Sequence, residues 1–427
     1  MPAKSAIFLD ANAGLPLHPR AREALRDVLT EESDGFPFNP SSPHSLGQKS
    51  RRLLEAARLQ VLHSLLSEKA RARVSSGDAG AVFFTGSGTE ANQWVVRSVL
   101  ETPGGSHHWV TTAGEHDSIL QMIPWARARG IMVTVLPLLS DGQPCLETFR
   151  RACADATPPT LVSFLLVNNE TGVVLGKPDI GVWISESVRV GAAIHLDAAQ
   201  AWGKMPLELD QLGADFVTFS GHKIGGLAGS GLVWLAPARL RGALAAPGRL
   251  ILGKAEQGRR GGTQSVLNAF VLGIAASCLQ ESLGAEKTSQ IRKLTAGFET
   301  ALQERLGERI TLNGTDSPRV PGTTHISLSG ISGEGLIAAL DLEGFAVSSG
   351  SACSSGTLEP SHVLLAMGIS PELARASLRV SLPRHLPIAE LEMALRSFVD
   401  ALERVHSRMS RVPVRVASKP SQPGQQI

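Results

Sequence analysis

A chain of 427 residues with 43% hydrophobic content has apolar material for more than one core, and 41 Lys and Arg against 39 Asp and Glu leave a formal charge of +2. That balance, without long blocks of one sign, gives no electrostatic footprint for nucleic acid or an anionic membrane, so small molecules and proteins are the expected partners. Four scattered cysteines (Cys145, Cys153, Cys278 and Cys353) form neither a disulfide framework nor a CxxC pair, so a reducing cytoplasm is expected and no metal is called for.

In chain order, "MPAKSAIFLDANAGLP" sets an acid and a proline where a signal peptide needs an unbroken apolar run. No later stretch reaches the length of a membrane span, so a soluble chain is expected. "PHSLGQKSRRLLEAARLQVLHSLLSEKA" has apolar residues at three-to-four spacing behind a serine and proline start, which predicts a helix packed on a neighbour. From residue 81, the runs "AVFFT", "HWVTT", "IMVTVLP" and "TLVSFLLVN" alternate with the helical stretches "TEANQWVVRSVL" and "HDSILQMIPWARARG". Strand, helix, strand implies a mainly parallel sheet. "AAIHLDA", "DFVTFS" and "GLVWLA" follow on shorter connections, giving about seven strands, of which one or more could be antiparallel.

"SVLNAFVLGIAASCLQESL" reads as a long apolar helix, and beyond it the strands "THISLS" and "RVSL" mix with the helices "EGLIAALDLEG" and "IAELEMALRSFVDALERVHSRM". This predicts a smaller α+β domain. The expected boundaries are an arm over residues 1–20 joining that domain, a large α/β domain over 21–255, a linker helix and small domain over 256–410, and a frayed tail over 411–427.

Chemistry-bearing residues cluster where predicted strands end. "FTGSGTEANQ" puts Gly86, Ser87, Gly88 and Thr89 between a strand and a helix, where backbone N–H groups and the helix dipole attract phosphate. An ordinary capped helix start would look much the same, and the lysine of a P-loop is missing. Asp197 and Gln200 of "IHLDAAQAWGK" follow one strand; Ser220, His222 and Lys223 of "FSGHK" follow the next. A phosphate grip, an acid and a lysine at adjacent strand ends match the needs of pyridoxal 5'-phosphate: anchor, pyridinium partner and Schiff base. His116 of "GEHDSI" could lie over such a ring, and Asn168 and Asn169 of "VNNETG" could bond it or simply form a turn. Last comes "SSGSACSSGTLEPSHVL", residues 348–364, which sets Cys353 among serines and glycines. A thiol in so polar and mobile a segment reads as a reagent.

Taken together, "FTGSGTEAN", "EHDSI", "VNNETG", "LDAAQAWGK", "FSGHK" and "SSGSACSSGTLEPSHVLLAMG" resemble the cysteine desulfurases, pyridoxal-phosphate enzymes of aminotransferase class V, in the branch with the long catalytic loop. The resemblance runs from "LDANAGLPLHP" at residue 9 to "LRVSLPR" near 384. It implies a fold-type I enzyme that binds its cofactor in the large domain, acts as a homodimer, and passes sulfur from L-cysteine to an acceptor protein, such as an iron–sulfur scaffold or a thiolation pathway. Carried over, it makes Lys223 the Schiff-base lysine, Asp197 the partner of the pyridinium nitrogen and Gln200 that of the phenolic oxygen. Gly88, Thr89, Ser220 and His222 would hold the phosphate, with Thr263 of "RRGGT" reaching it from the other subunit. His116 would stack on the ring, Asn169 would lie near ring and substrate, Arg379 would pair the substrate carboxylate, and Cys353 would be the nucleophile.

The chain departs from the family pattern at Ala11, at Gly14 and Leu15, in "GGLAGSG" (225–231) and in "LGKAEQG" (252–258), where Gln257 replaces an arginine. A change of substrate, to selenocysteine or another amino acid, and a non-catalytic scaffold of the same fold are the alternative readings.

Overall fold

The computed structural model describes residues 6–30, 38–74, 78–102, 107–177, 179–238, 251–333, 335–349 and 359–410. Among the described residues twelve strands run in chain order: β1 (Ile7–Phe8), β2 (Ala81–Thr85), β3 (His108–Thr112), β4 (Met132–Leu136), β5 (Leu161–Leu165), β6 (Ala193–Asp197), β7 (Phe216–Ser220), β8 (Gly231–Leu235), β9 (Ile310–Leu312), β10 (Thr323–Leu328), β11 (Phe345–Ala346) and β12 (Ser377–Ser381).

β2 to β8 form one sheet in the order β2-β8-β7-β6-β5-β3-β4. β8 is antiparallel to both of its neighbours and the remaining pairs are parallel, which is the seven-stranded, mainly parallel arrangement expected. Every residue of β3, β5, β6, β7 and β8 is buried, because helices cover both faces; such strands read as unbroken apolar runs rather than alternating ones. On one face Phe149 stacks on Trp183 with centroids 5.1 Å apart, and Phe164 meets both rings edge-on. Phe83, Trp94 and Trp109 fill the other.

A second core, around Phe298, Phe345 and Phe398, lies under the antiparallel sheet β12-β10-β9 and the parallel pair β1-β11. The start of the chain is stitched into this later structure: Asp10 bridges Ser381, and Leu9 is buried among the second core's residues. The Gly14 and Leu15 segment packs against the turn that carries His222. A Cβ at position 14 would come within 3.0 Å of the His222 ring, and the Leu15 N–H donates to the His222 carbonyl at 2.9 Å.

Several element ends differ from the sequence expectation. The predicted serine and proline start gives way to His44, whose ring caps helix Ser45–Leu65 by accepting from the Gly47 N–H at 3.2 Å. That helix packs on helix Val266–Ser277. The stretch 116–130 is two helices, Asp117–Leu120 and Met122–Arg127, since Pro124 has no N–H to continue the first. "SVLNAFVLGIAASCLQESL" likewise breaks at Cys278 into Val266–Ser277 and Leu279–Leu283.

One buried ion pair ties the segment after residue 250 to the sheet. Arg58 donates to both Glu256 oxygens at 2.9 and 3.0 Å, and the Phe84 N–H donates to the same carboxylate at 3.0 Å. Glu256→Ala would strand the Arg58 guanidinium in a buried site, an effect of about 3 kcal/mol or more. A urea midpoint unchanged by that substitution would refute the assignment.

Candidate active site

The carboxyl ends of β3, β5, β6 and β7 meet at one edge of the sheet, the place where open α/β sheets bind ligands. A cavity of about 330 Å³ opens there. Its walls include Gly88, Thr89, His116, Asn169, Asp197, Gln200, Ser220, His222, Lys223 and Arg379, so ten of the residues singled out in the sequence face one space. Thr263 is exposed and outside this cavity, and Cys353 lies outside the described residues.

Ser87 caps helix Gly88–Leu100, its hydroxyl accepting from the Glu90 N–H at 3.0 Å. The N–H groups of Gly88 and Thr89, in the first turn, have no acceptor within the helix and line the cavity. Gly88 lets the helix start sit close to Ser220: a Cβ there would press on Ser220 Cβ at 3.0 Å. Ser220 Oγ and His222 Nδ1 share a hydrogen bond of 3.0 Å. Burial, and then the neighbouring Lys223, push the His222 imidazole down to about 4, so it is neutral at pH 7.

Asp197 ends β6 and is 4% exposed. Its Oδ2 accepts from Asn92 Nδ2 at 2.6 Å and its Oδ1 from the Ala199 N–H at 2.9 Å. Asn92 in turn donates to Ser118 Oγ at 2.8 Å. Lys223 lies in the turn after β7, with Nζ donating to the carbonyls of Asn12 at 2.7 Å and Ala13 at 2.9 Å. Burial, and then the Arg379 guanidinium, lower its pKa to about 8, against the pull of Asp10 and Asp197. A neutral, nucleophilic amine is therefore accessible near physiological pH.

Arg379, 4% exposed in β12, donates to Asp10 Oδ1 at 2.7 Å and to the Asn169 carbonyl at 3.0 Å, while its Nε–H has no acceptor among the described residues. One edge of the guanidinium is thus anchored and the group is left with a donor to give. Asn168 closes its own turn, accepting from the N–H groups of Glu170 and Thr171 at 3.0 Å, whereas Asn169 faces the cavity. His116, the cap of helix Asp117–Leu120, sits exposed at the cavity.

The profile of the family described as aminotransferase class-V matches residues 7–393. The chain belongs to the class-V aminotransferases. Within that family, it is 34% identical over 410 residues to a cysteine desulfurase of a Nostoc species, covering 94% of each chain. Over 400 residues it is 33% identical to the cysteine desulfurase IscS of Rickettsia akari, covering 93% of this chain and 92% of that one. The solved structure of a NifS-like protein from Rickettsia africae superposes with a TM-score of 0.79 at 27% identity, covering 94% of this chain and 99% of that one.

Class-V aminotransferases work with pyridoxal 5'-phosphate, and the residues present fit that group. The helix start at Gly88 and Thr89, the buried Asp197 carboxylate and the Lys223 amine, all on one cavity, fit the anion site, acid and amine it needs. Residues at or behind the cavity that escaped the sequence reading are Asn12 and Asn92, which line it, and Asp10, Glu115 and Lys204. Glu115 stands one residue before His116 in a motif already singled out. Burial raises its carboxyl to about 8, so it stays protonated near Asp197; Oε1 accepts from Thr112 Oγ1 at 2.9 Å and the Leu165 N–H at 3.0 Å.

No helix among the described residues is long and apolar enough to cross a membrane.

Proposed function

We propose that this protein is a cysteine desulfurase that moves sulfur from L-cysteine to Cys353 as a persulfide and releases L-alanine. What carries this reading is the gathering of Lys223, Asp197 and Arg379 at one cavity in a chain whose relatives are named cysteine desulfurases. Gly88, Thr89, Ser220 and His222 would hold the cofactor's phosphate, Asp197 its pyridinium nitrogen and Gln200 its phenolic oxygen, with His116 over the ring. Thr263 of the partner subunit would complete the phosphate site in a cytoplasmic homodimer.

When bound, pyridoxal 5'-phosphate supplies an electron sink for the carbanion formed at the substrate Cα. Arg379 pairs the substrate carboxylate beside Asn169, and Lys223 takes the Cα proton. The Cys353 thiolate attacks the substrate sulfur: an S–S bond forms, the C–S bond breaks, and its electron pair stays with the three-carbon fragment. That fragment gains protons and leaves as alanine. The persulfide sulfur then passes to an acceptor protein serving iron–sulfur or thiolation chemistry. Incubation with L-cysteine and a thiol reductant should yield alanine and sulfide in equal amounts; alanine at background level would refute the reading.

Arg379→Lys tests the carboxylate contact. Lysine keeps the charge and loses the planar fork, so the cysteine concentration for half-maximal rate should rise by about 10- to 100-fold with the cofactor's visible band intact. Loss of bound cofactor would instead give Arg379 a structural role.

A further inference from the structure

Lys204 takes no part in the chemistry above, yet its side chain is buried beside the cavity at 8% exposure. It follows Gln200 by four residues. Its Nζ donates to Asn12 Oδ1 at 2.6 Å and to Gln200 Oε1. Gln200 Nε2 donates to the Asn12 backbone carbonyl at 2.8 Å, the same carbonyl that accepts from Lys223 Nζ. Asn12 Nδ2 donates to the Asn169 carbonyl at 3.1 Å.

The partners fix which end of each amide is which. A backbone carbonyl only accepts, so the end of Gln200 that meets Asn12 must be its NH2, which leaves Oε1 as the end to which the Lys204 amine donates. Burial, then Lys223, Arg379 and Arg384, hold the Lys204 amine well below its ordinary pKa. A neutral amine still carries two hydrogens, and two acceptors are present.

Gln200 lines the cavity, and its NH2 has a second hydrogen beyond the one given to Asn12. We propose that Lys204 is a positioning residue that sets the polarity of Gln200, holding Oε1 and so keeping the NH2 as the end offered to an anionic oxygen in the cavity. This rests on the cofactor reading, in which that oxygen is the phenolic one. The bond to the Asn12 carbonyl weakens as Gln200 turns to a ligand, whereas the Lys204 contact at Oε1 holds the opposite end. Without Lys204, the amide can present either end.

The test is the pH titration of the visible band in the cofactor-loaded full chain. A donor on the phenolic oxygen competes with the proton on Lys223 Nζ for that oxygen's electrons, so losing the donor raises the midpoint. Lys204→Met should raise it by about one pH unit, tenfold in proton affinity. Gln200→Ala should do the same, and the double variant should show no further rise, because Lys204 acts through Gln200. A merely structural role would lower the melting temperature and leave the midpoint in place. An unchanged midpoint in Lys204→Met, or additive shifts in the double variant, would overturn the inference. Should the methionine variant not fold, Lys204→Gln supplies one shorter donor and should give a smaller rise; a wild-type midpoint there overturns the inference equally. Wild-type protein that shows no visible band with pyridoxal 5'-phosphate would remove the cofactor reading, and this inference with it. A band indifferent to Lys204 removes only the latter.

Discussion

Cys353→Ser is expected to cut alanine formation from L-cysteine by about three orders of magnitude or more while leaving the visible band of the bound cofactor in place. A serine hydroxyl is a poor nucleophile toward sulfur at neutral pH and cannot hold it as a persulfide. Phosphate grip, Asp197 and Lys223 are untouched, so substrate should still perturb the spectrum on mixing. The other thiols offer no substitute. Burial raises Cys153 to about 11, Cys278 is buried beside Arg20, and no described cysteine lines the cavity. Mass spectrometry should find one added sulfur on the loop peptide of wild type and none on the variant. Wild-type alanine output from Cys353→Ser would sink the desulfurase mechanism.

Lys223→Ala should abolish both the visible band and alanine formation, a loss of similar size, since in the proposed mechanism the same nitrogen attaches the cofactor and moves the Cα proton. A borohydride-stable adduct at a different lysine of the variant would show the assignment to be wrong. The pH dependence has a definite sign. Burial disfavours the charged ammonium and Arg379 repels it, so in cofactor-free protein the amine should lose its proton through about pH 8 rather than near 10.5. Labelling of Lys223 by an amine reagent, followed by mass spectrometry, should rise across that range and level off above it. A profile still climbing at pH 10 would mean that the amine is hydrated or paired with a carboxylate.

Much of the large sheet was legible because its strands are short, β-branched and aromatic, and buried on both faces; "HWVTT" and "AVFFT" coincide with β3 and β2. The two-residue strands β1 and β11 and the three-residue β9 carry no period to read. Helix Ala285–Leu306 has charged residues around much of its circumference and escaped the sequence reading. In the site, strand-end residues stood out because a parallel sheet gathers them at one edge. Asn92 and Lys204 did not: Asp197 and Asn12, which they meet, lie 105 and 192 residues away, and the Lys204 contact with Gln200, four residues back, reads locally as helix or turn polarity.

The early residues joined to β12 also bear on how the protein is made. Asp10 pairs with Arg379, and the Asn12 N–H donates to Ser381 Oγ, both across 369 residues. Asn12 in turn supplies the carbonyl on which Lys223 rests. During synthesis residues 10–12 must therefore wait for residues 379–381, about 20 to 70 s at about 5–20 residues per second. Until then, the nascent chain carries Lys223 without the guanidinium that helps to lower its pKa. The depressed Lys223 amine and the Arg379 guanidinium thus come into being together, once β12 has been made and paired.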